Sequence, residues 1–155
     1  LGAGAACPIP VLSVVVPIYN ERDNVAPLHE ALALALQQLD RSYEIVLVDD
    51  GSRDGTRDVL RRLAAVDPHL RLVLFRRNYG QTAAMAAGFH AARGRTIVSM
   101  DGDLQNDPAD IGRLVDKLDE GYDVVCGWRR WRQDRAVTRL LPSRVANFLI
   151  SRVTG

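Results

Sequence analysis

Short apolar runs alternate along this chain with longer segments in which apolar residues recur every three or four positions. The apolar runs predict strands at 12–18, 44–48, 70–75, 95–98 and 122–126. Uninterrupted runs rich in β-branched residues are typical of parallel strands that are covered on both faces. We therefore expect a mainly parallel sheet of buried strands.

The segments between these strands predict four helices, because their apolar residues share one helical face. The predicted helices run from Asp23 or Asn24 to about Leu39, from Thr56 to the Asp67-Pro68 pair, from about Thr82 to Ala92, and from Pro108 to about Leu118. Regular alternation of strands and helices favours right-handed βαβ units. The expected fold is a Rossmann-like α/β protein, in which helices flank a mainly parallel sheet as a three-layer α/β/α sandwich.

The composition suits one globular domain, with 155 residues of which 47% are hydrophobic and 25% are charged. We expect residues 1–10 to be a flexible lead-in, residues 11–127 to form the α/β domain, and residues 128–155 to form a basic segment. The chain begins at Leu1 and ends in mid-pattern at Gly155. We therefore expect it to be a piece of a longer protein.

Cysteine, histidine and apolar content exclude several classes. Cys7 and Cys126 are far apart and lack metal-type spacing, and the three histidines are scattered, so neither a disulfide framework nor a zinc site is expected. No stretch approaches the roughly 20 apolar residues of a membrane-spanning helix. The first ten residues also lack the charged start of a signal peptide.

Charge is unevenly distributed along the chain. Residues 127–155 hold seven arginines and one aspartate, whereas residues 1–126 hold thirteen basic and eighteen acidic side chains. This asymmetry predicts that the basic segment faces an anionic partner.

Acidic loops follow three of the predicted strands. They are Tyr19-Asn20-Glu21, Asp49-Asp50 and Asp101-Gly102-Asp103. In an open parallel sheet these loops meet at one edge, where five carboxylates would repel one another without a cation or hydrogen-bond donors. Carboxylates are suitable ligands for Mg²⁺ or Mn²⁺, although a lone Asp-Gly-Asp also suits a solvated turn and the Asp49-Asp50 pair could cap one.

Four motifs occur in order and in corresponding structural positions. They are VPIYNE at 16–21, VDDGSRDGT at 48–56, RNYGQ at 77–81 and DGDLQ at 101–105. Together they resemble the successive signatures of inverting family 2 glycosyltransferases with the GT-A fold. More narrowly, they resemble the polyprenyl-phosphate branch that includes dolichol-phosphate mannose synthases. The resemblance covers residues 12–155, nearly the whole chain.

This resemblance implies transfer of a sugar from a UDP- or GDP-linked donor to a polyprenyl phosphate. It implies that Pro17, Tyr19, Glu21 and Asp50 hold the base and ribose. Two residues of the third motif, Asn78 and Gln81, are expected to line the donor site.

The fourth motif carries the implied metal site. Asp101 and Asp103, assisted by Gln105, are expected to hold Mg²⁺ or Mn²⁺ on the donor diphosphate. A fixed cation would neutralise the charge that develops on the leaving diphosphate. An alternative role is open for Glu21: it could favour the start of a helix through its negative charge, without binding the ligand.

The basic segment suits an anionic acceptor. Arg129, Arg130 and Arg132 are expected to bind the acceptor phosphate, and Arg129 is expected to join Asp101 and Asp103 as a catalytic residue, because guanidinium groups match phosphate oxygens. An amphipathic pattern after Pro142 resembles an interfacial helix on an anionic membrane surface. A solvated arginine-rich face is the alternative.

These features predict a protein at the cytoplasmic face of a membrane, with a bacterial inner membrane expected. It would be peripheral or anchored by helices beyond Gly155. The expected partners are a nucleotide sugar, a polyprenyl phosphate and the membrane surface, without nucleic acid, and an oligomer is compatible with the sequence.

Other functions compete with this interpretation. A family 2 transferase acting on a glycan or protein hydroxyl stays open, as does a nucleotide-binding module without activity, although the intact Asp101 and Asp103 argue against the latter. A phospho-receiver domain would need its acid pair after the first strand and a lysine after the fifth. A Rossmann dehydrogenase would need Gly-x-Gly-x-x-Gly after the first strand, which this chain lacks.

Overall fold

The computed structural model describes residues 9–127, of which 9–123 form one compact unit and 124–127 belong to a second. Four strands and four helices alternate in the described residues. The strands are β1 (Leu12–Ile18), β2 (Tyr43–Asp49), β3 (Leu70–Leu74) and β4 (Thr96–Ser99). The helices are α1 (Val25–Gln37), α2 (Thr56–Ala64), α3 (Gln81–Ala91) and α4 (Asp110–Asp119). None of these helices is both long and apolar enough to cross a membrane.

The four strands pair in the order β3-β2-β1-β4, and every pair is parallel. Val15 of β1 lies opposite Val46 of β2 on one side and Ser99 of β4 on the other. The strand order therefore reverses beside β1. Such a switch point opens a crevice at the carboxyl ends of the strands, where open α/β sheets bind ligands.

Helices cover both faces of the sheet, as predicted. On one face, Val14 and Val16 pack in the main core with apolar residues of α1, α2 and α4. On the other face, Val15 packs with Ala84 of α3. A Cβ at Gly88 would lie 2.3 Å from Cγ1 of Val15, so only glycine lets α3 approach the sheet this closely. The three-layer α/β/α prediction is confirmed for the described residues.

Two details of the predicted sheet are wrong. Residues 122–126 form no strand, and the side chains of Tyr122 and Val124 are 53% and 76% exposed. Apolar residues in a short run favour a strand only when a neighbouring strand and a covering layer are available to them. The last strand, β4, is only half-buried, because Ile97 is 43% exposed and Ser99 is also exposed.

Candidate functional site

A cleft of about 350 Å³ opens at the carboxyl ends of the strands, in the crevice beside β1. Its walls come from the loops after all four strands. The lining residues are Pro17, Ile18, Tyr19, Glu21, Asp50, Asn78, Gly80, Gln81, Asp101, Gly102 and Asp103. Every residue predicted to bind the donor lies in this set, as do both predicted metal-binding aspartates.

Two hydrogen bonds of Asn20 attach the loop after β1 to the loop after β2. Asn20 has a positive φ of 54°, and its backbone N–H donates to Oγ of Ser52 over 2.9 Å. In return, the backbone N–H of Arg53 donates to Oδ1 of Asn20, also over 2.9 Å. Asparagine tolerates the left-handed conformation better than most residues. These two contacts hold this wall of the cleft together.

Asp54 strengthens the same connection. Its Oδ2 accepts the backbone N–H of Arg22, and its Oδ1 accepts both the N–H and the hydroxyl of Thr56 at the start of α2. Burial by itself would raise the pKa of Asp54, but these hydrogen bonds outweigh it and hold the pKa below its usual value. The carboxylate therefore remains ionised and keeps both loops in place.

Glu21 has a structural contact as well as a place in the cleft wall. Its Oε2 accepts a hydrogen bond from Nδ2 of Asn24 over 2.6 Å. Asn24 is the N-cap residue of α1, as predicted, but its side chain donates to Glu21 and makes no capping bond to the helix. Glu21 lies before the first turn of α1, which contains no acidic residue, so the helix-start role considered for it is not supported.

The adjacent aspartates after β2 have different environments. Asp49 is fully buried, accepts the backbone N–H of Ser52 over 3.0 Å, and pairs with Nε of Arg57 over 2.7 Å. It stabilises the turn, and it is not among the residues that line the cleft. Asp50 does line the cleft, and its oxygens accept the backbone N–H groups of Tyr79 and Gly80 over 2.7 and 2.9 Å.

Gly51 explains how the loop after β3 reaches the cleft. It has a φ of +75°, and a Cβ there would lie 2.2 Å from the carbonyl carbon of Arg77 and 2.5 Å from the nitrogen of Asn78. Neither backbone atom could move away without displacing the loop. The sequence places Gly51 within the VDDGSRDGT motif, but no local pattern signals this close approach.

The predicted metal-binding loop packs against the end of β1. A Cβ at Gly102 would lie 2.6 Å from Cδ1 of Ile18 and 3.1 Å from the carbonyl oxygen of Pro17. Asp101 accepts a hydrogen bond at Oδ1 from Nε2 of Gln81 over 2.7 Å. These contacts place the first aspartate of the loop beside the first residue of α3.

The second half of this loop holds Asp103. Its Oδ1 accepts the backbone N–H of Gln105 over 3.1 Å, and Leu104 between them has a positive φ of 60°. Gln105 is not among the residues that line the cleft. Its role as a third metal ligand stays a prediction.

The donor set of the cleft suits one type of cation. Within residues 9–127, no group of three or more His, Cys, Asp or Glu side chains could hold a metal ion. A cage of protein ligands is therefore not formed there. Mg²⁺ and Mn²⁺ need fewer protein ligands, since they often bind one or two carboxylates and complete their shell with phosphate oxygens and water. Asp101 and Asp103 fit that requirement.

The predicted acceptor residues Arg129, Arg130 and Arg132 lie outside the described residues, as do Trp128 and Trp131.

An open parallel sheet with an acidic cleft at its carboxyl edge defines an α/β protein of the Rossmann-like, ligand-binding class. Residues 13–154 match Glycosyl transferase family 2, and the chain belongs to this family. The family resemblance of the four motifs is confirmed.

Two curated relatives are similar along almost the whole chain. The dodecaprenyl-phosphate galacturonate synthase of Rhizobium johnstonii is 49% identical over 146 residues, which are 93% of this chain and 43% of the relative. An undecaprenyl-phosphate 4-deoxy-4-formamido-L-arabinose transferase of Pseudomonas syringae is 46% identical over 149 residues, or 96% of this chain and 44% of the relative. The chain thus spans less than half the length of either.

A solved structure has the same fold. It is a mannosyltransferase from Pyrobaculum calidifontis in complex with GDP-Man and Mn²⁺, with a TM-score of 0.63 and 28% sequence identity. The match covers 77% of this chain and 36% of the mannosyltransferase. The predicted GT-A fold is therefore confirmed.

Proposed function

We propose that this chain is the donor-binding part of a metal-dependent, inverting glycosyltransferase that moves a sugar from a nucleoside diphosphate to a polyprenyl phosphate. One observation carries the proposal: a single cleft of about 350 Å³ collects Glu21, Asp50 and the Asp101-Asp103 pair from three separate loops. The two relatives named for dodecaprenyl-phosphate and undecaprenyl-phosphate chemistry support the lipid acceptor.

The nucleoside end of the donor would lie along Pro17, Tyr19, Glu21 and Asp50. Asp50 is 3% exposed, and each of its oxygens already accepts one backbone hydrogen bond. A carboxylate has about four acceptor sites, so it can also accept an N–H of the base or a ribose hydroxyl. Tyr19, which is 45% exposed, offers an aromatic surface beside it.

The diphosphate would lie between Asn78 and Gln81 on one side and the Asp101-Gly102-Asp103 loop on the other. Asp101 and Asp103, with Gln105, would hold Mg²⁺ or Mn²⁺ there. When bound, this cation neutralises negative charge on the diphosphate as the sugar departs. The pre-formed loops would orient the donor without further ordering of the chain.

The acceptor chemistry requires little help from a base. A phosphate monoester has a second pKa near ~6, so it is largely anionic at neutral pH and is a nucleophile without further deprotonation. Its approach to an anionic donor needs positive charge instead, which Arg129, Arg130 and Arg132 would supply, with Arg129 as the catalytic residue among them. A glycan or protein hydroxyl acceptor would need a general base.

We further propose that the protein works at the cytoplasmic face of a membrane, in bacteria the inner membrane. A polyprenyl chain stays in the lipid, so its phosphate is available only at the surface. Each basic residue of 128–155 near an anionic leaflet would contribute roughly 1 kcal/mol of attraction. The relatives are more than twice as long as this chain, which leaves room in a longer protein for membrane helices.

Calorimetric titration with UDP and with GDP, each with and without Mn²⁺, tests the donor site. We expect one nucleotide to bind in a Mn²⁺-dependent manner, and the preferred base to identify the donor class. Asp103→Ala should weaken this binding at least about tenfold, because it removes a metal ligand. The exposed Asp40→Ala is the matched control and should bind as the wild type does. Failure of the folded wild-type protein to bind either nucleotide would overturn the assignment.

A further inference from the structure

The side chain of Gln81 contacts the acidic loop after β4. Its Nε2 donates to Oδ1 of Asp101 over 2.7 Å, across twenty residues of sequence. Gln81 is also the first residue of α3, so the attachment of its backbone to the sheet determines where its amide can reach.

Asp50, directly after β2, holds the backbone that precedes Gln81. The two residues before Gln81, Tyr79 and Gly80, donate their N–H groups to the two oxygens of the Asp50 carboxylate. Gly80 has a φ of +94°, and its carbonyl oxygen accepts the N–H of Ala84 in the first turn of α3. A continuous path of short contacts thus runs from the end of β2 through Tyr79 and Gly80 to the carboxylate of Asp101.

We propose that Gln81 is a positioning residue that orients Asp101 for the divalent cation. The amide binds Oδ1, which stops the carboxylate from rotating and presents Oδ2 to the metal. A hydrogen bond within the protein that restricts the Asp101 side chain removes part of the entropic cost of ordering this side chain when a metal binds. Gln81 is neutral, so it achieves this without the repulsion that a cation at this position would exert on the metal.

This inference rests on the proposed function and specifies how Gln81 takes part in it. If Gln81 acts through Asp101, its loss weakens metal binding and only the metal-supported share of nucleotide binding. If Gln81 instead contacts the nucleotide directly, its loss weakens nucleotide binding whether or not metal is present. The two roles therefore differ in a measurable way.

The test compares Gln81→Ala and Gln81→Met with the wild-type protein. Methionine keeps the length and neutrality of the side chain but cannot donate to Asp101. Uptake of Mn²⁺ by the protein alone is followed by electron paramagnetic resonance, and nucleotide affinity is measured by calorimetry at one Mn²⁺ concentration that is not saturating and again with EDTA. The exposed Gln38→Ala, at the residue that follows α1, is the matched control, and circular dichroism verifies the fold.

We expect both Gln81 variants to bind Mn²⁺ about tenfold more weakly, as is usual when a hydrogen-bond partner of a metal ligand is removed. Their loss of nucleotide affinity should be larger in the presence of Mn²⁺ than in EDTA. Unchanged Mn²⁺ affinity, full affinity in Gln81→Met, or an equal loss of nucleotide affinity with and without metal would each overturn the inference alone. Wild-type protein that binds neither Mn²⁺ nor nucleotide would overturn it together with the proposed function.

Discussion

At the scale of single residues, Gly51 is a stringent test of how the cleft is built. Gly51→Ala introduces a Cβ that overlaps the backbone of Arg77 and Asn78, and it also strains a residue with a φ of +75°. We expect a loss of about 1–3 kcal/mol in the free energy of unfolding and a weaker nucleotide affinity, because the loop after β3 must move. Urea unfolding and calorimetry measure the two effects.

Gly121→Ala is the matched control for this change. Gly121 has a φ of +102°, but a Cβ there would meet no atom within 4 Å. It should therefore show the cost of backbone strain without any effect on the cleft. Equal losses of nucleotide affinity in the two variants would contradict the proposed importance of the close approach.

The residues after β2 show why the sequence could predict the site only in part. Asp49 and Asp50 are adjacent and chemically identical, and the pattern placed both at the carboxyl edge of the sheet. Their side chains point in opposite directions, so one pairs with Arg57 in the interior and the other faces the loop after β3. Contacts such as these depend on residues 8 and 29 positions away, which no local pattern contains.

At the scale of elements, Glu44 connects three strands at the edge of the sheet opposite the cleft. It is 2% exposed and accepts hydrogen bonds from Ser13 of β1, Arg71 of β3 and Arg93 before β4. Burial by itself would raise the pKa of Glu44, but these hydrogen bonds outweigh it and hold the pKa below its usual value.

We expect Glu44→Gln to lower the free energy of unfolding by about 2 kcal/mol, because it replaces charge-assisted hydrogen bonds with weaker ones in a buried position. Nucleotide affinity should be unchanged, since Glu44 lies at the other edge of the sheet. Glu120→Gln, which affects only an exposed pair with Lys117, is the control and should cost no more than about 0.5 kcal/mol. A similar loss in both variants by urea unfolding would contradict the structural role of Glu44.

The elements themselves were more predictable than their burial. The strand at Leu12–Ile18 was predicted with both bounds correct. An apolar run of seven residues with a loop on each side is long enough for a strand but short for a helix. The run at 122–126 has similar apolar content yet forms no strand. Propensity and pattern describe what a segment favours, whereas a strand also needs a hydrogen-bonded neighbour.

At the scale of the whole molecule, the order of elements was sufficient to predict the layered fold. Right-handed βαβ connections leave few arrangements for alternating strands and helices, so the parallel sheet followed from the pattern. The exposure of Ile97 on β4 did not follow, because it depends on what covers that face. The chain spans 43–44% of the length of the two relatives. Residues that pack over β4 are not part of the local pattern from which its burial was predicted.

The pH dependence of the free energy of unfolding is a property of the whole molecule, and Asp67 is expected to contribute to it. This residue connects α1 to the segment before β3: its Oδ2 lies 2.7 Å from Nε2 of His29, and its Oδ1 accepts the backbone N–H of His69 over 2.8 Å. Burial by itself would raise the pKa of Asp67, but the hydrogen bonds from His69 and His29 outweigh it and lower the pKa.

A carboxyl group whose pKa is lower in the folded state stabilises the protein when ionised. The contribution of Asp67 is therefore complete above its unfolded pKa of about 4 and is lost as the pH falls through the folded value. We expect Asp67→Asn to lower the free energy of unfolding at pH 7 and pH 5, and the difference from the wild type to shrink by pH 3. Urea unfolding at the three pH values measures this, with the exposed Asp40→Asn as control. A difference that is the same at all three would mean that Asp67 acts through shape and not through its charge.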